Sequence, residues 1–299
     1  MKIRYFLTLI LLVCLCENIT LAQINLYPAH YSMIIDVNRL YNPALVNPNG
    51  YASLELGNQF YTGAYNKVEN HYFLACINVS KQDSNHIKNN IGLKILNEKE
   101  GEFINKPKAY FSYALHVQLT ELYHISAGID LGLASYIYKA TNISAGGSST
   151  VPDGNIGISF YSQHFKVGLA SNQFLNTVLL PKTVSFRWKR IYTFYIEKNF
   201  RLGESNLLSL YVQKQFLPYL KDGNDVGISL IIGNIFQLGL SETFGQRHSF
   251  FAGFKSIPYE RNSFNLTFCY SVPQTNASQA NNPSYEIMLG YWPGRKHHN

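Results

Sequence analysis

The sequence is short of charge and has no long apolar run. Asp, Glu, Lys and Arg make up 14% of its 299 residues, against roughly 25% in a soluble domain. Its longest apolar stretch beyond the N-terminus, VGISLIIGNIFQLGL at 226–240, is broken by Gly, Asn and Gln. A membrane helix needs roughly 20 consecutive apolar residues, so none is expected there. A mean hydropathy of −0.09 also excludes a helical membrane bundle. Gly-x-Ser-x-Gly, His-Glu-x-x-His, Cys-x-x-Cys and phosphate-loop patterns are all missing, so no enzyme, cofactor or metal site is expected. The basic residues are scattered rather than gathered in a stripe, which removes nucleic acid from the expected partners.

What is present begins with an export signal over residues 1–22. Lys2 and Arg4 precede an apolar run from Phe6 to Val13, and Thr20-Leu21-Ala22 offers small residues for cleavage ahead of Gln23. Cys14 and Cys16 raise a lipoprotein alternative, which Val13 and Leu15 fit poorly. Losing Lys2, Arg4 and Glu17 with the leader lowers the formal net charge of +7 by one. Cys76 and Cys269 remain. An oxidising compartment permits a disulfide, but the strand pattern puts these residues on the second and thirteenth strands. In a closed barrel that is three strand spacings, roughly 14 Å, beyond the roughly 7 Å between Cα atoms that a disulfide tolerates. Two free thiols are expected.

Aromatics are abundant: 22 Tyr and 19 Phe. Low charge, many rings and no long apolar run is the composition of a membrane β-barrel, whose lipid-facing residues are every second one. A secreted β-sandwich shares it and stays open as the alternative. The chain repeats one device: eight to twelve residues of alternating hydrophobicity, then a turn. In AYFSYALHVQLT, Ala109, Phe111, Tyr113, Leu115, Val117 and Leu119 share one face, and Tyr110, Ser112, Ala114, His116, Gln118 and Thr120 the other. The same pattern predicts strands near 51–60, 70–80, 90–97, 108–120, 123–138, 154–161, 164–172, 187–199, 207–217, 224–232, 235–242, 248–256, 262–270 and 284–292. ATNISAGGSSTVPDG at 140–154 reads as a long loop. Tyr291-Trp292 at the last strand's end suits a headgroup level. The expected fold is all-β: a transmembrane antiparallel barrel of about fourteen strands over 51–292, closed by a basic tail at 293–299. His116 and His124 flank one turn and are expected to form a structural pair in the lumen.

Before the first strand, residues 23–50 are irregular and broken by proline. Such a stretch cannot lie in lipid, where every backbone polar group needs a partner. It is expected to fold into the lumen as a plug over 24–48, or to lie across the periplasmic mouth, with a disordered leader as the remaining alternative.

RLYNPALVNP at 39–48 resembles the entry motif of the PorP/SprF family of type IX secretion system membrane proteins, with Asn42-Pro43-Ala44 at its centre. GNQFYTG at 57–63, NNIGLKILNEKEG at 89–101, AYFSYALHVQLTELYHISAGIDLGL at 109–133, FKVGLASNQF at 165–174, FQLGLSETF at 236–244 and SYEIMLGY at 284–291 resemble further family segments, in order. The leader is diverged, Phe60 stands where the family often has another aromatic such as Trp, and Tyr285 stands where it often has His. The resemblance implies a non-enzymatic barrel in the outer membrane of Bacteroidota-type bacteria, among outer-membrane lipids, serving type IX export or gliding. Its implied partners are periplasmic ring and lipoprotein components and adhesin-type cargo. Asn42, Pro43 and Ala44 are the expected plug or partner contacts. A channel for small hydrophobic compounds, resembling fatty-acid uptake barrels, is the alternative; inner faces rich in Ser, Gln, His, Thr and Gly count mildly against it.

Overall fold

The computed structural model describes residues 30–46, 50–80, 86–141, 145–181, 185–218, 223–259, 262–274 and 282–294. The expected leader, residues 23–29 and 47–49 of the N-terminal segment and most of the tail lie outside the described residues. The strands are β1 (Ala52–Tyr61), β2 (Glu69–Asn78), β3 (Ile87–Glu100), β4 (Ile104–Gln118), β5 (His124–Tyr138), β6 (Gly147–Tyr161) and β7 (Phe165–Asn172). A short hairpin follows, β8 (Val178–Leu179) with β9 (Phe186–Arg187). Then come β10 (Ile191–Leu202), β11 (Asn206–Phe216), β12 (Gly223–Ile232), β13 (Phe236–Thr243), β14 (Arg247–Tyr259), β15 (Asn262–Pro273) and β16 (Ser284–Trp292).

Fourteen of these, all but the hairpin, pair antiparallel with their neighbours, and β16 returns to β1 to close the barrel. A closed meander leaves no sheet edge in the hydrocarbon, which is why the fold can cross a bilayer. Alternation decides the faces. Phe111 is 71% exposed on the outside, while its neighbour Tyr110 is 3% exposed within. Outward rings cluster near both strand ends: Tyr123, Phe160 and Phe165 with Tyr259, Phe264 and Tyr291 at one, Tyr270 with Tyr285 at the other. These are the two interfacial girdles of an outer-membrane-type barrel.

Tight turns such as 162–164, 203–205 and 233–235 lie at the end where β1 starts and β16 finishes. The longest links, 173–190 and 274–283, lie at the other end. Short turns face the periplasm in such barrels and long loops face outward, which puts the β1 end at Tyr61 and the β5 end at Tyr138 on the extracellular side.

The stretch expected as a loop at 140–154 is strand from Gly147 onward. Ser, Gly and Pro there read as turn residues, yet β5 pairs with every position from Gly147 to Tyr161. Pro152 is tolerated because β7 ends at Asn172, opposite Asn155, so no ladder is interrupted on that side. Pro107 sits similarly where the β4–β5 register skips from Asn105 to Lys108. Cys76 lies on β2 and Cys269 on β15, the second and thirteenth barrel strands, and both are free and buried.

Candidate functional site

The N-terminal segment builds its own local structure before it meets the wall. Ile34–Val37 form one α-turn, and Asn38–Leu40 and Pro43–Leu45 form 3-10 turns. Asn42 caps the last of these, its Oδ1 accepting from the Ala44 N–H at 2.9 Å, with Pro43 at the first position where a missing donor costs nothing. These residues form a strap inside the ring of strands, bonded along its length to inward-facing side chains.

The upper end is held by the seam. The Ser32 N–H donates to both carboxylate oxygens of Glu286, at 2.8 and 3.1 Å. Gln59 Nε2 donates to the same carboxylate at 2.8 Å and to the His30 carbonyl at 2.9 Å. Ser241 Oγ donates to the Ser32 carbonyl at 3.0 Å, and His30 Nε2 lies 2.9 Å from Asp225. Halfway down, Asp36 pairs with Lys255 at 2.5 Å, on the inward side of a bulge between Phe254 and Ile257. Arg39 pairs with Glu55 at 3.2 Å and donates to Ser53 at 2.9 Å.

The lower end lies on a floor made by β5, β6 and β7. Asn42 Nδ2 donates to the Ile158 and Leu169 carbonyls, each at 3.2 Å, although these belong to opposed residues of neighbouring strands. Ser126 Oγ donates to the Ala44 carbonyl at 2.7 Å. Close approach is possible because the wall there is glycine. A Cβ on Gly128 would lie 2.5 Å from the Ala44 nitrogen, one on Gly168 2.8 Å from Asn42 Nδ2, and one on Gly157 would collide with Asn42 Oδ1. Asn42, Pro43 and Ala44 are thus brought together on one seat.

Beside that seat the wall carries buried charge. Lys94 Nζ sits 2.5 Å from Asp130 and donates to the Leu40 carbonyl at 3.1 Å, tying wall to strap. Asp130 also accepts from Ser112 at 2.6 Å and Asn155 at 2.9 Å, so the carboxylate is well satisfied despite its burial. Above it, Glu98 meets Lys106 at 3.6 Å and Lys108 at 2.8 Å, and Lys106 also reaches Glu100. The β8–β9 hairpin folds over this cluster. Leu179 and Trp188 pack on Ala134 and Tyr136, and Lys108 lies 5.3 Å from the Trp188 ring centre.

The strap's other side is apolar. Met33, Val37, Leu40 and Tyr41 pack against Tyr72, Leu74, Phe251, Cys269 and Met288, and Ile34 packs with Tyr195 and Tyr211. The inner wall is therefore not polar throughout, as its Ser, Gln and Gly content suggests; a greasy patch exists and the strap fills it. Two spaces left around the strap are about 20 and 30 Å³. Burial pushes the Tyr31 phenol well above its usual range, helped by nearby Glu98, and burial raises Tyr41 likewise against the opposing bond from the Tyr31 N–H.

Gln59 and Glu286 fall within segments quoted for the family resemblance, but nothing in the sequence marks them as strap contacts beyond being polar on an inward phase. Phe60 and Tyr285, where the chain departs from the family pattern, are opposed on β1 and β16 and face outward. His116 and His124 both meet Tyr161: His116 Nδ1 is 2.9 Å from its hydroxyl, and the His124 ring stacks on it at 5.1 Å. Among the described residues no group of three His, Cys, Asp or Glu could hold a metal.

Among solved structures, the chain is similar to the CymD monoaromatic hydrocarbon channel, at 10% identity and a TM-score of 0.58, over 90% of this chain and 94% of that one. It is similar to the Ralstonia pickettii toluene transporter TbuX at 11% identity and a TM-score of 0.60, covering 86% and 93%. A Pseudomonas aeruginosa FadL homologue matches at 6% identity and a TM-score of 0.54, covering 83% and 92%. At such identities the likeness is one of fold. No curated protein matches in sequence. The resemblance to PorP/SprF is borne out: the family's pattern matches residues 24–291, and the chain belongs to the type IX secretion system membrane protein family PorP/SprF.

Proposed function

We propose that this barrel is a non-enzymatic component of type IX secretion in the outer membrane, exported there by its leader. In this role it supports export or surface attachment of secreted proteins of the adhesin type and works with periplasmic ring and lipoprotein components. The strap acts as its plug. The observation that carries this reading is the convergence of family segments on the strap: Asn42-Pro43-Ala44 on the glycine seat, and Gln59 with Glu286 at Ser32. A lumen filled by its own chain suits a docking component better than an open pore. The test is deletion of the protein in its own bacterium, followed by a census of the culture medium and cell surface. Loss of one or more large surface proteins is expected; an unchanged set overturns the reading.

A second reading has one observation in its favour. The greasy patch around Tyr72, Phe251 and Met288 would line a path for small apolar compounds if the strap moved away, and CymD and TbuX are a hydrocarbon channel and a toluene transporter. Toluene uptake into vesicles carrying the purified barrel, faster with the strap deleted, is what this reading requires.

A further inference from the structure

The wall is not of even height. On the outer faces of β3, β5 and β6 the continuous apolar rows end at Ile95, Leu133 and Ile156; beyond them come Asn97 on β3, Ser135 and a single Ile137 on β5, and Pro152 and Thr150 on β6. The ends of β3–β6 therefore stand beyond the apolar band, on the extracellular side, as a small four-stranded wing. Its last strand has an edge whose backbone groups are unpaired, although the end of β8 lies beside its inward face, where the Leu180 N–H donates to Ser149 Oγ at 3.1 Å. β7 pairs with β6 only from Asn155 to Tyr161, and the Phe174 N–H caps the next position by donating to the Gly154 carbonyl at 3.0 Å. That bond shows which way the edge points, since alternate residues of a strand present their backbone groups to the same side. Pro152, Thr150 and Ser148 share the phase of Gly154. Among the described residues, no backbone group meets the Thr150 or Ser148 N–H, or the carbonyls of the three, on that side.

An open row of alternating donors and acceptors is a template for another strand. Pro152 removes one donor, but Thr150 keeps both its groups, and no lysine or bulge blunts 148–152. The neighbouring charge is basic. Arg190 Nε donates at 2.8 Å to the carbonyl of Phe174, whose N–H caps Gly154 two residues from the end of the open edge. Arg187 lies exposed on β9, and neither arginine is in an ion pair with a described carboxylate. The edge itself offers only Ser148, Thr150 and Pro152 outward, with Asp153 turned inward to the Tyr110 hydroxyl. A second copy of this chain thus supplies no acid to meet Arg190.

We propose that the β6 edge at 148–152 is a docking strand that takes an extended, acid-bearing segment of an exported protein as an added β-strand. This names the contact by which the secretion role proposed above would reach its cargo, and rests on that reading. The test is a photo-crosslinking amino acid at Ser148 in living cells, with one at Phe103 on the same rim as control. The expected result is an adduct with a surface-exposed protein, mapping to a segment that contains Asp or Glu. Thr150→Pro should cut that adduct at least about tenfold, by removing a donor and adding a ring to the edge. The strand already holds Pro152 in the same phase, and unchanged heat-dependent gel mobility would show that the barrel stays closed. An adduct no stronger than at Phe103, an adduct only with a second copy of this chain, or indifference to Thr150→Pro each overturns the proposal. Deleting the protein in the same bacterium keeps the two ideas apart: lost secretion without a Ser148 adduct leaves the secretion role standing and removes the docking strand.

Discussion

Glu286 and the Ser32 N–H are 254 residues apart in sequence and 2.8 Å apart in the lumen. The carboxylate also takes a bond from Gln59, so one buried charge gathers the strap and both strands of the seam. Removing that charge leaves the Ser32 N–H and the Gln59 amide with a weaker acceptor, at about 1–3 kcal/mol. Glu286→Gln should therefore raise the fraction of released strap by about tenfold to a hundredfold. Trypsin cleavage after Arg39 in the detergent-purified barrel reads this directly, and an unchanged cleavage rate would contradict it.

The glycine seat makes a steric prediction. Gly157→Val should expel Asn42 from between β6 and β7 while leaving the ladder itself paired, whereas Gly223→Ala, whose new Cβ meets nothing closer than 3.5 Å, should be silent. Cys76 lines the small space between Arg39, Pro43 and the wall, so its alkylation rate reports the lower anchor. Faster labelling in Gly157→Val alone is the expected outcome; equal labelling in both variants would mean the seat is not needed.

Lys94 and Asp130 are almost wholly buried and 2.5 Å apart. Lys94→Met strands a carboxylate in the wall and should destabilise the barrel by about 3–5 kcal/mol, while Lys94→Met with Asp130→Leu should recover much of that loss. Denaturant midpoints followed by tryptophan fluorescence separate the cases, and a double variant no better than the single would count against a coupled pair.

The strap should loosen in alkali. Tyr31 and Tyr41 have an ordinary value of 10.0, and burial raises both in the docked strap. Below pH 10 the phenols are neutral whether the strap is docked or free, so docking is unaffected. Above it the free strap ionises first, and docking weakens by about tenfold per phenol per pH unit. A spin label at Val46→Cys should sharpen reversibly as pH rises past about 10. A line shape that stays broad through about pH 11 would oppose this account.

Alternation made all fourteen barrel strands legible, because each lies between lipid and a polar lumen. Gly147–Asp153 was not, since its wing carries no lipid-facing row and its Ser, Gly and Pro favour turns. The β8–β9 hairpin escaped for another reason: two-residue strands have no period to read. At the site, Asn42-Pro43-Ala44 stood out through the family resemblance. Gly128, Gly157 and Gly168 did not, because a glycine in a strand does not say what approaches it. Neither did the greasy patch: Tyr72, Phe251 and Met288 interrupt otherwise polar inward rows, and only the folded strap shows why.

The seam has a consequence for how the molecule is made. β1 and β16 are the first and last barrel strands to leave the ribosome, and their pairing is the final step that turns a sheet into a ring. Gln59 on one and Glu286 on the other both grip the strap, which leads directly into β1. A ring that shut with the strap outside would bury that carboxylate without the Ser32 N–H. Correct threading is thus rewarded at the moment of closure, and the last strand acts as an inspector of the segment made just before the first.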